Sequence, residues 1–544
     1  VLAVTGAAVC ATGIAVFGGG SSAARTLAAG KAPTSTLRIA VEQSPDPFDP
    51  ATLGDNRTIE LAQNVFDGLT DVSATNGSAI PALATRWTLS PSGKVYTFYL
   101  RKGAKFQNGD PVTAQDFVYS WNRTLSPKTA SPYLFFLSGI AGANAVSGGK
   151  AKAASGIKAL NATTLQVTLT APAGYFPELV SRWPFWVVDP KVVAKYGSSW
   201  DSPPHIVGTG AYRLTNNVGD TSYTFKANPN YFGGAPKVPS VSVQVVADPT
   251  ARVARYQAGE FDAVFGLSAA ALREAEGNAT LKSQLHVKQQ LGTSWLGIND
   301  SVAPFNNLKV REAFSDAIDR KALITVALDG LGRPTGTFLP PGLPGAIANT
   351  PAAAKYGGYS VSKAQALLAA AGYPDGKGFP TVTIDTDNVS TDVTVMQYVQ
   401  AELEQNLNIT VSLKEMPQNA FNALFNSPKT APVLYAYDFS LDYPDAQEML
   451  QYFATSGPDG FVNYEHYSNS TFNNLVARAV ATGNATQRAA LYNQAETLFM
   501  ASEPVVPLYN QSVAWLAKPY TKGVGQTAQY MAKWDLASLA GVGG

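Results

Sequence analysis

Hydrophobic positions along the chain alternate in two registers, and the change from one to the other marks out its elements. Leu37, Ile39 and Val41 alternate with polar residues and predict a strand beginning at Thr36, broken by the three prolines of SPDPFDP. Ile59, Ala62, Val65 and Phe66 fall at helical spacing, which predicts a helix over Thr58–Asp67 with Gly68 as its stop. Tyr96, Phe98 and Leu100 predict a half-buried strand after the turn signal Asn76-Gly77. Thr113 and Asp116 form an acidic capping box ahead of Phe117, Val118, Trp121 and Leu125. Leu165, Val167 and Leu169 give another strand.

The second half is richer in helix signals. Asn307 caps a helix carrying Val310, Ala313, Phe314, Ala317 and Ile318, and Asp319 caps a second that stops at Gly330. Gly330, Gly332 and Gly336 around Arg333-Pro334 read as loop punctuation. Ser360–Ala371 predicts a helix, and Thr381–Asp385, Val393–Asn406 and Ile409–Leu413 predict a βαβ unit. Helical patterns around Phe472–Val480 and Arg488–Phe499 precede the strand-like VVPLYNQSVAWL. No internal repeat is visible, and the expected class is α/β with some antiparallel parts.

Composition adds limits. The 544 residues are 45% hydrophobic and 15% charged, enough for more than one core. A net charge of +1 without runs of one sign argues against nucleic acid as a partner. One cysteine, Cys10, excludes an internal disulfide. It lies in the apolar stretch 1–24, which reads as an export signal without a basic start, an uncleaved anchor being the alternative. Apolar sequence continues past Cys10, unlike a lipid-attachment site, and 25–35 reads as a flexible tether.

Catalytic signatures are missing. His205, His286 and His466 have no ligand spacing, the Gly-x-Gly of VGTGAYRL is not followed by a helix, and there is neither a GxSxG elbow nor a phosphate loop. No cofactor, metal or enzymatic activity is expected. The notable chemistry is in Tyr435–Phe453, where a strand end at Val433–Phe439 runs into the turn Leu441-Asp442-Tyr443-Pro444-Asp445. Asp442, flanked by Leu441 and Tyr443, is the candidate cation site, since a partly desolvated carboxylate attracts a cation more strongly than one in water. Acids in turns also bond their own backbone or stay solvated, and an Asp442/Asp445 pair could serve a glycosidase.

Eight motifs in order resemble the oligopeptide-binding proteins of bacterial ABC importers, solute-binding protein family 5. They are Phe48-Asp49-Pro50, VFDGL, YTFYLRKGAKFQNGDPVTAQDFVYSW, VGTGAY before NPNYF, the Trp295–Leu323 block, AAAGY, LDYPD and VVPLY. The resemblance implies a two-lobed type II periplasmic-binding-protein clamp of three domains. Domain I would comprise 34–66, 191–291 and 508–540, domain II 67–190 and domain III 292–507. It also implies an exported, monomeric receptor that passes peptides to a membrane permease. Asp442 would hold the peptide ammonium, Gly54, Asp55, Asn56, Asp438, Phe439 and Ser440 would bond its backbone, and Tyr443 would wall the cleft. Positions that meet a peptide carboxylate in some members align with Leu328, Val393 and Ala436, none of them basic. Two that form a disulfide in some members align with Gly292 and Ser440. The ligand class therefore stays open between a peptide, an oligosaccharide and a metal complex. Phe439, Tyr443, Trp295 and Trp515 are the aromatic candidates for a sugar. An anchored hydrolase and a sensor-linked receptor are further alternatives.

Overall fold

The computed structural model describes residues 35–73, 77–425, 430–454, 463–527, 529 and 532–540. The export segment 1–24 with Cys10, the tether as far as residue 34, and Asn76 of the expected turn lie outside the described residues.

One eleven-stranded sheet runs through the molecule. In chain order its strands are β1 (Thr36–Val41), β2 (Tyr212–Val218), β3 (Ser222–Ala227), β4 (Ser240–Val245), β5 (Ala263–Val264) and β6 (Leu285–Ile298). They continue as β7 (Gly332–Pro334), β8 (Val382–Asp387), β9 (Val411–Met416), β10 (Leu434–Ser440) and β11 (Val505–Ala517). The spatial order is β9-β8-β10-β6-β11-β5-β1-β4-β3-β2, with β7 on β11. Strands β6 and β11, of 14 and 13 residues, belong to both halves. Their antiparallel pairing runs from Leu285↔Leu516 to Gln289↔Ser512, breaks, and resumes from Thr293↔Asn510 to Gly297↔Val505. The break leaves Gln290, Leu291 and Gly292 out of the β6–β11 register, where the sheet passes from one lobe to the other.

The caps expected from sequence form. Asp55 caps α1 (Asn56–Ala62), and the Thr113 amide donates to Asp116 Oδ2 at 2.7 Å ahead of α2 (Ala114–Leu125). Asn307 caps α3 (Leu308–Asp316) and Asp319 caps α4 (Arg320–Ala327). The βαβ unit is present, with α5 (Ser390–Leu407) joining β8 to β9 in parallel. The late helices are α6 (Ser470–Ala481) and α7 (Ala485–Ser502).

Two local readings are corrected. Helix α1 ends at Gln63 rather than running to Gly68, because the chain must turn where the amides of Gly210 and Tyr212 reach the carbonyls of Val65 and Asn64. Gly208 and Gly210 have no room for a side chain there: a Cβ would stand 1.9 and 2.4 Å from those carbonyl oxygens. Gly332-Arg333-Pro334 is a short strand on β11 rather than a loop, edge pairing being a position where proline is tolerated.

A separate antiparallel sheet of four strands, Ala84–Leu89, Val95–Leu100, Thr164–Thr168 and Ile157–Asn161, packs with α2 through the fully buried Trp121, whose indole donates to the Phe185 carbonyl. Its apolar face shares a core with β1–β4, while α3–α5 and α6–α7 cover the other half of the long sheet. The result is an α/β clamp of two lobes.

Candidate functional site

Strand β10 carries the site because it loses a neighbour. Along one side it pairs with β6 from Leu434↔Ile298 to Ser440↔Gly292. On the other side β8 pairs only with Leu434 and Tyr435. From Ala436 to Ser440 that second edge is therefore unpaired by any described strand and faces the space between the lobes. Backbone groups on such an edge are available to an extended guest.

The space is a cavity of about 760 Å³, with Asn56, Leu328, Asp387, Asp392, Asp438, Ser440, Asp442, Tyr509 and Gln511 in its wall. Gln511 ties the edge together: its Nε2 donates to Asp438 Oδ2 at 2.6 Å, and Ser440 Oγ donates to its Oε1 at 2.6 Å. Of the first-lobe segment, Asn56 and Gly54 are exposed. Only Asn56 appears in this wall. The Asp55 carboxylate is engaged locally, accepting from the Thr58 amide at 2.9 Å and from Gln43 Nε2 at 2.9 Å. A Cβ on Gly54 would lie 2.8 Å from Asp46 Oδ2.

Asp442 sits where this cavity meets another of about 870 Å³. The larger one is lined by Phe135, Phe136, Tyr175, Phe176, Phe439 and Tyr452. Burial raises the Asp442 carboxyl above its usual range, opposed by a hydrogen bond from Glu448 and by the charge of Arg182. Glu448 itself is pushed well above the carboxylate range by burial and by Asp442, while its Oε2 accepts from the Tyr443 amide at 3.2 Å. Glu448 is the more strongly raised member of the pair and donates to the Asp442 carboxyl, which burial also raises. Sequence reasoning missed Glu448, which the helix turn after Pro444 brings back beneath the loop.

Tyr443 and Asp445 anchor the turn, Tyr443 from the wall of the larger cavity. Tyr443 is 6% exposed and stacks on Tyr175 with ring centroids 5.7 Å apart. Asp445 accepts from Arg488 Nε at 2.8 Å, and Arg488 also reaches Glu178 at 3.1 Å and the Gly174 carbonyl at 2.8 Å. With Asp445 ion-paired to Arg488 and Asp442 bonded to Glu448, both acids of the Asp442/Asp445 pair are engaged.

Leu328 and Ala436 line the cavities, and Val393 does not. Gly292 and Ser440 stand directly opposite each other in register. Trp295 and Trp515 are core residues, the latter stacked on Phe265 and His286, whereas Phe439 borders open space. Among the described residues no cluster of three or more His, Cys, Asp or Glu side chains could hold a metal ion, and no helix is long and apolar enough to cross a membrane.

Comparison with known proteins gives the same architecture. Residues 78–461 match the model for bacterial extracellular solute-binding proteins, family 5 middle. The chain is 31% identical to a probable deoxycholate-binding periplasmic protein of Escherichia coli over 499 residues, 90% of this chain and 91% of the relative. It superposes on the unliganded open form of a periplasmic murein tripeptide binding protein with a TM-score of 0.84 and 27% identity, covering 94% and 98% of the two chains. With the Haemophilus influenzae oligopeptide-binding protein in complex with the peptide RPPGFSPFR the TM-score is 0.66 at 27% identity, over 93% and 99%. The overlap is better with the unliganded open form than with the peptide complex.

Proposed function

The chain belongs to the bacterial extracellular solute-binding proteins of family 5, non-catalytic receptors that serve ABC importers outside the cytoplasmic membrane, and from that premise we propose that its solute is a short peptide. The observation that carries this reading is the free edge of β10 ending at Asp442. An extended peptide adds to such an edge through its main chain, which gives affinity without reading side chains. Its α-ammonium lies against Asp442, with Asp438, Phe439 and Ser440 on one side of the backbone and Gly54, Asp55 and Asn56 on the other. Tyr443 holds the wall. Relatives named for murein tripeptide and oligopeptide binding support the same chemistry.

In this reading the lobes are domain I (34–66, 191–291, 508–540) with domain II (67–190), and domain III (292–507), hinged where β6 and β11 cross. A peptide bridging both lobes favours the closed state by its differential affinity for it. The permease then engages the closed, monomeric receptor, and no cofactor or nucleic acid takes part.

The test is mass spectrometry of what co-purifies with the folded protein and with Asp442→Ala. Mixed short peptides on the wild type, absent from the variant, are expected. A single non-peptide solute retained by both would remove the peptide and the role of Asp442 together. The aromatic cavity beside Asp442 favours a second reading, an amphipathic solute such as the one the Escherichia coli relative is named for, and the same spectrum would reveal it.

A further inference from the structure

We propose that the aromatic cavity beside Asp442 is a side-chain subsite of the cleft, so that the preferred peptide begins with phenylalanine, tyrosine or tryptophan. This rests on the peptide reading above, and it adds to that reading a contact from the insertion 67–190, away from the β10 edge. The cavity, of about 870 Å³, has walls from 135–144 and 169–179 on one side and from 439–452 on the other.

The walls define the guest. Phe135 and Tyr175 line the space from the first side, Phe439 and Tyr452 from the second. Their rings are held by neighbours: Phe135 lies on Phe136 with centroids 4.3 Å apart, Phe136 meets Tyr443 at 6.4 Å, and Phe439 meets Tyr452 at 5.4 Å. Among the described residues Phe135 is the only phenylalanine or tryptophan with an exposed side chain, at 42%. A ring left exposed within an apolar patch, rather than singly, marks a surface that a partner covers. No lysine, arginine or histidine lines the cavity among the described residues, so an acidic side chain would find no counter-ion there and would meet Asp442 and Glu448 instead.

The place of the aromatic residue in the peptide follows from the alternation of β10. Successive side chains of a strand point to opposite faces. Asp438 and Ser440 line the 760 Å³ cavity and Phe439 the aromatic one, so the free edge separates the two spaces, and Asp442 borders both. A guest added to that edge sends its own side chains alternately to the two faces. The residue whose ammonium meets Asp442 stands at the junction. Its side chain enters the aromatic cavity, and that of the second residue faces the 760 Å³ cavity. Pockets of roughly 300–1,000 Å³ enclose whole small ligands, so an indole fits as readily as a phenyl ring. Such side chains bury about 150–250 Å² and gain further from ring-to-ring contact, which alanine lacks.

Isothermal titration of the purified chain with trialanine, Phe-Ala-Ala, Ala-Ala-Phe and Glu-Ala-Ala tests this. Phe-Ala-Ala is expected to bind about tenfold tighter than trialanine and Ala-Ala-Phe, with Glu-Ala-Ala the weakest of the four. In Phe135→Ala the advantage of Phe-Ala-Ala over trialanine is expected to shrink to about threefold or less. A ratio taken within one variant separates the subsite from a general loss of folded protein. Equal affinities for Phe-Ala-Ala and trialanine, a phenylalanine preferred as strongly at the third position, or an advantage that survives the substitution overturns the subsite and leaves the peptide reading standing. If none of the four peptides binds, the peptide reading falls and the subsite falls with it.

Discussion

At the scale of single residues the site is an exercise in where charge is left over. Asp442 has Glu448, an acid that burial raises further than Asp442 itself, as its hydrogen-bond partner and no ion pair among the described residues, whereas Asp445 is ion-paired with Arg488. A peptide ammonium brought into this half-buried place needs a partner, and removing the partner strands it. Asp442→Ala is therefore expected to cost about 3 kcal/mol of affinity for a free-amino peptide, roughly two orders of magnitude. N-acetylation of the peptide should cost the wild type as much and the variant almost nothing, which calorimetry with both peptides would check. Away from the cleft, Glu496 is wholly buried and accepts the amides of Leu339 and Ile347, each at 2.7 Å. Glu496→Ala leaves two buried donors without acceptors and should lower stability by about 2–4 kcal/mol, measured by urea unfolding.

Elements show how much of this was legible before the fold was known. The caps at Asn307 and Asp319, the capping box at Thr113 and the βαβ unit were readable because each depends on residues within one or two turns. Strands β3 and β4 were not singled out, and β4 owes its place to the parallel partner β1, about two hundred residues earlier. The site divides the same way. Asp442 is legible from its own turn and its neighbours Leu441 and Tyr443, and Asp438 and Ser440, from the same continuous stretch, through the family resemblance. Asp387 and Asp392, which border the same cavities, come from β8 and α5, about fifty residues earlier, so no local pattern could announce them. Tertiary contact also ended α1 early, and it yields a prediction. Gly208→Ala would drive a methyl into the Val65 carbonyl, a backbone atom that cannot swing aside, and should destabilise the chain by about 3 kcal/mol or more, read as a lower urea midpoint. Register yields another. Opposed residues in antiparallel strands have Cα atoms about 4.5–5.5 Å apart, within the span of a disulfide. Gly292→Cys with Ser440→Cys should therefore crosslink β6 to β10 on oxidation, visible as the loss of two titratable thiols.

The whole molecule responds to pH through acids the fold holds neutral. Burial pushes Glu465 up to about 7 and Glu496 up to about 8, against an ordinary value of 4.5. Between those values the folded chain binds protons that the unfolded chain has released, so the stability they contribute is present at low pH and is lost as pH rises from about 4.5 to about 8. The urea midpoint should fall from pH 5 to pH 8.5, with less of a fall in Glu496→Gln. On the peptide reading, adding a bound peptide should reduce the radius of gyration measured by X-ray scattering, as the lobes close.

The turn that bears Asp442 has a further consequence. Tyr443 stacks on Tyr175, Arg488 joins Asp445 to Glu178, and the Gly174 amide reaches the Val480 carbonyl at 2.6 Å, so the turn is fastened to the segment 174–178 across from it. A point so fastened is a fulcrum, and a fulcrum does not travel. On the peptide reading proposed above, the acid at the guest's leading end would be in place before closure, and the guest's length would be set by how far along the lever it extends.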